Sequence, residues 1–265
     1  MPPVSPPVDQ LLDLARRAAL AAGDLTLARF GTPASGLASK SSRTDLVSDA
    51  DRDSEALILD MLRRERPGDA ILAEEGGGGD GATGLRWLVD PLDGTINYLW
   101  GLPQWSVSIC CEDADGRLVG VVHDPCRAET FWATRGGGAA LNGAELALDG
   151  DPPLDEALVG TGFSYRPDER RRQAARLVRV LPHVRDVRRF GSAALDLAWV
   201  AAGRIDAFYE TALSPWDWAA GALLVEEAGG VVVELPPGDG FSPGLVACRR
   251  SLADPLLELL GVERP

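Results

Sequence analysis

The stretch that decides the fold is residues 87–109, "WLVDPLDGTINYLWGLPQWSVSI", where an apolar run meets a pair of aspartates. The opening Trp-Leu-Val is typical of a buried strand, and Asp90 and Asp93 follow at once on either side of Pro91. Two carboxylates this close at the end of a buried strand repel each other and resist desolvation. The arrangement therefore requires something that offsets their charge.

Outward from this stretch, hydrophobic spacing predicts a mixed order of helices and strands. An i, i+3, i+4, i+7 pattern predicts a helix over 8–30, and Ser48 with Asp51 resembles an acidic capping box before a helix over 49–66. We expect an α+β protein of two packed lobes, 1–150 and 151–265. Strands are predicted near 70–74, 86–90, 105–112, 117–123, 130–135, 157–162, 205–210, 231–234 and 245–248, with later helices near 167–181, 192–202 and 216–228 and at the C-terminus.

The composition excludes several functional classes. A formal net charge of −14 over 265 residues argues against general affinity for nucleic acid or anionic membranes. No apolar stretch approaches the roughly 18 residues that span a bilayer, and the first residues lack the pattern of a secretory signal. We therefore expect a cytoplasmic protein without a membrane partner. With two histidines and four cysteines that form no CxxC, a zinc site or a histidine-based triad is poorly supplied.

Three acidic clusters follow or flank apolar runs. They are Glu74 with Glu75, Asp90 with Asp93, and Asp217 in "SPWDWAAGALLVEEAGG". Acids at strand ends and helix starts can converge on one cleft, where a shared divalent metal stabilises them. Oxygen-only ligands select Mg²⁺, Mn²⁺ or Ca²⁺ over zinc. For each acid taken alone, a helix-capping or surface role stands as the alternative.

The order of residues in "DPLDGT" strengthens the metal hypothesis. Pro91 restricts the turn between the aspartates, so that the carbonyl of Leu92 can serve as a further ligand. Gly94 and Thr95 would open a helix whose first N–H groups can cradle a phosphate. A carboxylate shared between two ions fits a two-metal site about 3.5–4 Å wide, the geometry used on phosphate esters.

At this point the sequence resembles the inositol monophosphatase family. The resemblance rests on "DLVSDAD" (45–51), "AEEG" (73–76), "WLVDPLDGTINY" (87–98) and "PWDWAAGALLVEEAGG" (215–230), in an order and spacing that match over nearly the whole chain. It implies a layered α-β-α-β-α sandwich of the sugar phosphatase type. It also implies a metal-dependent, lithium-sensitive phosphomonoesterase.

The resemblance implies a ligand set for the metal. Two or three Mg²⁺ ions are expected, with Mn²⁺ able to substitute and Li⁺ or Ca²⁺ inhibitory. The first ion would be held by Glu74, Asp90 and the Leu92 carbonyl, and the second by Asp90, Asp93 and Asp217.

The resemblance also implies the catalytic groups. Thr95 would help to position the attacking water beside Glu74, Asp51 would be linked to Thr95, and the backbone of Gly94 and Thr95 would receive the phosphate. Lys40, the single lysine among 26 basic residues, matches a loop lysine of the family. The implied reaction is direct in-line hydrolysis by metal-activated water, without a covalent intermediate.

For the substrate, "GTINY" resembles the branch of the family that acts on inositol phosphates. Glu210 matches a residue that hydrogen-bonds inositol hydroxyls. The resemblance favours a small phosphorylated polyol, with myo-inositol 1-phosphate first. Fructose 1,6-bisphosphate, histidinol phosphate and 3′-phosphoadenosine 5′-phosphate remain the alternatives. The expected substrate contacts are Asp90, Asp93, Gly94, Thr95, Gly191, Ser192, Ala193, Glu210 and Asp217.

Two expectations concern partners. Homodimers are usual in the family, so a homodimer is expected. The segment 166–190 holds nine arginines and offers a non-enzymatic alternative, binding to RNA or a transcription complex. Its own acids and the acidic chain make nucleic acid the less favoured partner.

Overall fold

The computed structural model describes residues 7–32, 34–39 and 46–262. Its first two helices begin and end within one residue of their predicted bounds. The second begins with the predicted capping box, since the Ser48 N–H donates to Asp51 Oδ2 over 2.9 Å. The helices are α1 (Val8–Arg29), α2 (Asp49–Glu65), α3 (Thr95–Leu99), α4 (Pro167–Val180), α5 (Ala193–Ala201), α6 (Pro215–Glu227) and α7 (Ala253–Leu260).

The described strands form two main sheets. Seven strands make the larger sheet in chain order, parallel between its first two strands and antiparallel thereafter: β3 (Ala70–Ala73), β4 (Arg86–Asp93), β5 (Ser106–Asp113), β6 (Gly116–Asp124), β7 (Glu129–Thr134), β8 (Gly138–Leu141) and β9 (Ala144–Leu146). The smaller sheet contains β10 (Leu158–Thr161), β11 (Asp186–Arg188), β12 (Ala207–Thr211), β13 (Val231–Leu235) and β14 (Gly244–Cys248), in the order β11-β10-β12-β14-β13. A short pair, β1 (Ala38–Ser39) and β2 (Leu46–Val47), precedes α2.

The helices and sheets stack in five layers, which confirms the predicted α-β-α-β-α architecture. One core joins α1 and α2 to the outer face of the larger sheet. A second places α5 and α6 between the two sheets, and a third joins the far face of the smaller sheet to α4 and α7. The alternation is visible at Cys110 and Cys111, neighbours on β5 that belong to different cores.

A close backbone contact fixes the middle layer against the larger sheet. Gly120 on β6 has no side chain, and a Cβ there would lie 2.8 Å from the carbonyl oxygen of Ala220 on α6 and 3.0 Å from its Cα. The helix backbone therefore rests directly on the strand. This contact sets the height of α6, whose first turn carries Asp217, above the larger sheet.

Several elements differ from the predictions made on the sequence, including the short strands β1, β2, β8 and β9, which were not predicted. Strand β4 continues through Pro91 to Asp93, because its register shifts between Asp90 and Asp93, and proline is tolerated at such an irregularity. The three-residue edge strand β11 was not predicted, since its charged sequence shows no apolar alternation. None of the helices in the described part of the chain combines the length and apolar character needed to cross a bilayer.

Candidate active site

A cavity of about 410 Å³ opens where the two sheets and the middle layer meet. It brings together residues from segments far apart in the sequence, so convergence of the acidic clusters on one cleft is observed. The predicted residues that line it are Glu74, Asp90, Leu92, Asp93, Gly94, Thr95, Gly191, Ala193, Glu210 and Asp217.

A bulge in β4 turns its two aspartates toward the same cavity. Asp90 pairs with Ser108 and Asp93 with Ser106, so three steps along β4 oppose two along β5. In a regular strand, residues three apart point to opposite faces, and one extra residue removes that alternation. The bulge is therefore the local feature that lets both carboxylates line one site.

Hydrogen bonds hold each aspartate of the pair in place. Asp90 Oδ1 accepts the N–H of Leu92 over 3.0 Å. Asp93 Oδ2 accepts the Ser192 hydroxyl over 2.6 Å and the Ala194 N–H over 2.7 Å, at the start of α5. Asp93 thus caps a helix, which is the alternative role stated above for each acid. The capped helix is α5 and not α3, which follows Asp93 in the sequence.

Asp217 and Glu74 complete the carboxylate cluster. Asp217 Oδ2 accepts the Ser214 N–H over 2.7 Å in a capping box at the start of α6, so its helix-capping role and its place in the cavity coexist. Glu74 follows β3, and its own N–H donates to the carbonyl of Val89 on β4. The adjoining turn is fixed by the buried carboxylate of Glu55, which accepts the N–H groups of Glu75 and Gly77.

The cluster carries more negative charge than its surroundings offset. Burial raises the pKa of Asp90 well above its ordinary value, and the charges of Glu74, Asp93 and Asp217 raise it further. Burial also raises the pKa of Asp217, with Glu74 and Asp93 adding to it. For Asp93, burial outweighs the bonds from Ser192 and Ala194 and raises the pKa to about 6.

A buried aspartate behind the cavity holds the threonine hydroxyl. Thr95 Oγ1 lies 2.9 Å from Asp51 Oδ1 and 3.1 Å from the carbonyl oxygen of Leu92. The other carboxylate oxygen of Asp51 accepts both the N–H and the hydroxyl of Ser48. The link between Asp51 and Thr95 that the resemblance implied is thus present in the structure.

Glu210 lines the cavity from the end of β12. A Cβ on Gly162, at the end of the neighbouring β10, would lie 1.9 Å from Glu210 Oε2, so the carboxylate occupies space that only glycine leaves open. Burial raises the pKa of Glu210 to about 8, while nearby Arg189 lowers it and Asp93 raises it.

Some predicted residues lie outside the cavity wall. Ser192 acts behind it, through its bond to Asp93, and Asp51 acts through Thr95. Lys40 lies outside the described residues.

Other lining residues were missed; most lie in loops that no motif marks, although Ser214 and Trp216 lie within the quoted "SPWDWAAGALLVEEAGG". On the sequence alone, Arg189 belongs to a single arginine-rich segment. In the structure, this segment includes α4, β11 and part of the cavity wall. The missed lining residues are Phe163, Ser164, Tyr165, Arg166, Arg189, Ala212, Leu213, Ser214 and Trp216.

The donor chemistry of the cluster fits hard divalent cations. Within the described residues, no three acidic, histidine or cysteine side chains already form a coordination shell. The four carboxylates nevertheless share one cavity, and their mutual repulsion adds to burial in raising the pKa values of Asp90, Asp93 and Asp217. Buried carboxylates in this condition are stabilised either by protons or by cations, and all-oxygen donors favour Mg²⁺, Mn²⁺ or Ca²⁺.

Similarity to known proteins identifies the class of protein to which this chain belongs. The family model described as the inositol monophosphatase family matches residues 8–260. The crystal structure of the extragenic suppressor protein suhB from Bartonella henselae superposes with a TM-score of 0.87 at 36% identity, covering 95% of this chain and 98% of that one. The layered fold with its carboxylate cavity is therefore that of a phosphatase.

The family follows from the same comparisons. The chain is 42% identical to Nus factor SuhB of Escherichia coli over 233 residues, 87% of each protein. It is 43% identical over 244 residues to inositol-1-monophosphatase SuhB of Mycobacterium tuberculosis, covering 88% of this chain and 84% of the relative. This chain belongs to the inositol monophosphatase family, as its motifs predicted.

Proposed function

We propose that this protein is a Mg²⁺-dependent phosphomonoesterase that hydrolyses myo-inositol 1-phosphate to inositol and phosphate. The observation that carries the proposal is the single cavity shared by the carboxylate cluster, Thr95 and Glu210. It combines a site for cations with a polar group able to bind the hydroxyls of a polyol. The name of the mycobacterial relative supports the same substrate.

The proposed cation ligands are the carboxylates of Glu74, Asp90, Asp93 and Asp217, with the carbonyl of Leu92. When bound, Mg²⁺ would lower the pKa of a coordinated water and offset the charge of the phosphate. Because the pKa values of Asp90 and Asp217 are raised, cation binding to these carboxyl groups would also release protons. Two or three Mg²⁺ ions, replacement by Mn²⁺ and inhibition by Li⁺ or Ca²⁺ belong to this proposal.

The chain's own groups would orient the water and the phosphate. When the Thr95 hydroxyl donates to Asp51, its oxygen lone pairs face away from that carboxylate and can accept a hydrogen bond from the attacking water. The N–H groups of Gly94 and Thr95, at the start of α3, would donate to phosphate oxygens. Gly94 adopts φ of +96°, a conformation that glycine reaches without strain.

The alcohol part of the substrate would lie against Glu210, Gly191 and Ala193. At neutral pH a carboxyl group with a pKa of about 8 keeps its proton, so Glu210 can donate to one hydroxyl and accept from another. This pairing suits the hydroxyls of a polyol and supports inositol 1-phosphate as the substrate. Arg166 and Arg189 line the same cavity and can pair with a second phosphate, so fructose 1,6-bisphosphate and 3′-phosphoadenosine 5′-phosphate stand as alternatives together with histidinol phosphate.

The proposal is tested by phosphate release from these four compounds, with and without Mg²⁺. We expect Mg²⁺-dependent hydrolysis with the highest kcat/KM for inositol 1-phosphate. The Asp93→Asn variant should lose most of the turnover and remain folded, whereas Glu210→Gln should mainly lower the preference for inositol 1-phosphate. Asp13→Asn, which changes an exposed aspartate on α1, is the matched control.

Each outcome has a distinct meaning. Full activity of Asp93→Asn would contradict the cation assignment. A preference for another compound would retain the phosphatase mechanism and replace the substrate. Hydrolysis of none of the four by the unmodified, Mg²⁺-loaded protein would overturn the proposed function.

The alternative function is RNA or transcription-complex binding through segment 166–190, and the name of the Escherichia coli relative favours it. The structure gives many of these arginines local contacts instead. Arg172 donates to the Gly240 carbonyl and Arg179 to the Leu260 carbonyl, while Arg176 covers the Phe241 ring. An exposed arginine surface that binds RNA would lose affinity steeply with salt, and absence of binding at low salt would dismiss this alternative.

Three further predictions accompany the proposed function. They are a homodimer, a cytoplasmic location and the two lobes 1–150 and 151–265. Sedimentation of the purified protein tests the first, fractionation of cells the second, and limited proteolysis around residue 150 the third.

A further inference from the structure

Two loops line the cavity outside the carboxylate cluster, next to the wall formed by Arg189, Gly191 and Ala193. The first, between β10 and α4, contributes Phe163 to Arg166, and the second, between β12 and α6, contributes Ala212 to Ser214. Both loops are anchored to one side of α4, the helix whose other residues include the exposed arginines.

Gln173, buried on α4, bonds to the first loop and to the end of β12, where the second loop begins. Its Oε1 accepts the Ser164 N–H over 2.8 Å. Its Nε2 donates to Thr211, 3.0 Å from the hydroxyl oxygen and 3.3 Å from the carbonyl oxygen. Gln173 is only 6% exposed, so these bonds do not compete with bulk water. The side-chain amide thus accepts a bond from the first loop and donates to the last residue of β12, directly before the second loop.

Glu169, one helical turn earlier on α4, bonds to Thr211 and to the loop that carries Ser242. Its carboxylate accepts the Thr211 hydroxyl over 3.3 Å and both the N–H and the hydroxyl of Ser242, over 2.8 and 3.0 Å. Glu169 is fully buried. The loop that carries Ser242 also supports the wall, because the Pro243 carbonyl accepts the Ala212 N–H over 2.8 Å.

The backbone at Ala212 shows that the second loop depends on this support. Ala212 has φ of +69°, in the left-handed region that a residue with a Cβ rarely adopts. Such a conformation persists only where surrounding contacts impose it. Here the contacts come from Pro243 and, through Thr211, from Glu169 and Gln173.

We propose that Gln173 and Glu169 are positioning residues: through Ser164 and Thr211 they hold the segments that adjoin Glu210, and they thereby select a polyhydroxylated alcohol as the leaving group of the substrate. The inference rests on the proposed function. It assigns selectivity to buried residues of α4 that do not line the cavity.

Most bonds at the phosphate end come from elsewhere: Asp90 accepts the Leu92 N–H, and Asp93 is held by the first residues of α5. Asp217 accepts the N–H of Ser214, the last residue of the second loop, but the capping box also fixes Ser214 to α6. Loosening the wall loops should therefore change the recognition of the alcohol more than the hydrolysis of the phosphate. This separation makes the role of Gln173 measurable.

The test compares inositol 1-phosphate with p-nitrophenyl phosphate, whose flat ring has no hydroxyls for the wall to bind. Gln173→Met keeps the side-chain volume and removes both bonds. We expect KM for inositol 1-phosphate to rise about five- to tenfold with little change in kcat, while kcat/KM for p-nitrophenyl phosphate stays within about twofold. Thr211→Val, which removes only the hydroxyl, should give a smaller shift of about two- to threefold.

Arg170→Met is the matched control, since Arg170 is exposed on the same helix. Thermal unfolding of every variant accompanies the kinetics. Unchanged selectivity in both Gln173→Met and Thr211→Val would overturn the inference, as would equal losses on both substrates in proportion to lost stability. If the unmodified protein hydrolyses neither ester, the proposed function itself fails, a result distinct from either of these.

Discussion

The two ends of strands β3 and β4 each carry a buried aspartate, and the two aspartates have opposite properties. At the amino end, Asp69 accepts hydrogen bonds from Arg66 at 2.8 and 2.9 Å, from Thr83 at 2.6 Å and from Trp87 at 2.9 Å. At the carboxyl end, Asp90 faces three other carboxylates. The two side chains belong to residues of similarly low exposure, 6% and 2%.

The difference lies in the partners as well as in the depth of burial, which is greater for Asp90. Burial alone would raise the pKa of Asp69, but the bonds from Arg66, Thr83 and Trp87 outweigh it and lower the pKa. Burial raises the pKa of Asp90, and the neighbouring charges add to it. An acid whose charge is neutralised within the chain serves the fold, whereas acids left with like charges form a site that requires cations from outside.

The largest expected effect is at the carboxyl end. Asp90→Asn should lower kcat by roughly a thousandfold or more, because it removes a carboxylate proposed to be shared by two ions. Without divalent ions its unfolding midpoint should not fall, since the change removes like-charge repulsion. Steady-state kinetics and thermal unfolding in a chelator measure both. A large loss of stability would make Asp90 structural, like Asp69.

At the amino end the pattern should reverse. Asp69→Ala leaves Arg66 without its partner and the Trp87 N–H without an acceptor, so the free energy of unfolding should fall by about 2–4 kcal/mol. Well below the unfolding temperature, kcat should match that of the unmodified protein. Urea unfolding and kinetics at 20 °C test this, and a selective loss of activity would contradict the contrast between the two ends.

The pH dependence of stability sharpens the comparison. The pKa of Glu210 is about 8 in the folded protein against an ordinary value of 4.5, so the unfolded chain binds fewer protons between these values. The stabilising contribution of Glu210 is therefore present at low pH and is lost as pH rises through 8. Between pH 6 and pH 8, in a chelator, unfolding free energy should fall by roughly 2 kcal/mol more for the unmodified protein than for Glu210→Gln. Equal slopes would contradict the raised pKa.

The smallest expected effect concerns a single bond to Asp69. Thr83→Val removes the hydroxyl that donates to Asp69 Oδ1 and leaves the Arg66 and Trp87 bonds in place. The free energy of unfolding should fall by about 1 kcal/mol, with no change in activity. Ser35→Ala, which removes an exposed hydroxyl that donates to Asp49, is a matched control with a smaller expected effect. A loss at Thr83 no greater than that of the control would show that the other partners suffice.

Residues with a local signal were the ones that the sequence predicted well. The capping box at Ser48 lies where short-range chemistry alone decides the conformation. The pair Asp90 and Asp93 was recognisable because an unpaired buried charge conflicts with the apolar run before it. The five layers and the ligand set followed from the resemblance to a family rather than from periodicity.

The remaining features depend on contacts between distant segments. Nothing near Gly162 in the sequence shows that the Glu210 carboxylate occupies the space beside it, because the two meet only when β10 and β12 pair. Arg189 and Gln173 sit in an arginine-rich segment whose composition resembles a solvated surface. Their roles depend on where β11 and α4 end, which tertiary contacts determine.

The backbone contact between Gly120 and Ala220 has a consequence for how the protein can vary. Because main chain rests on main chain, side-chain substitutions elsewhere in the middle layer leave this distance unchanged, and with it the span between Asp217 and the acids of the larger sheet. The interior can therefore change in sequence, or be redesigned for heat resistance, while the distance between Asp217 and the acids of the larger sheet is kept. A methyl group added at residue 120 would push α6 away from β6 and change that distance.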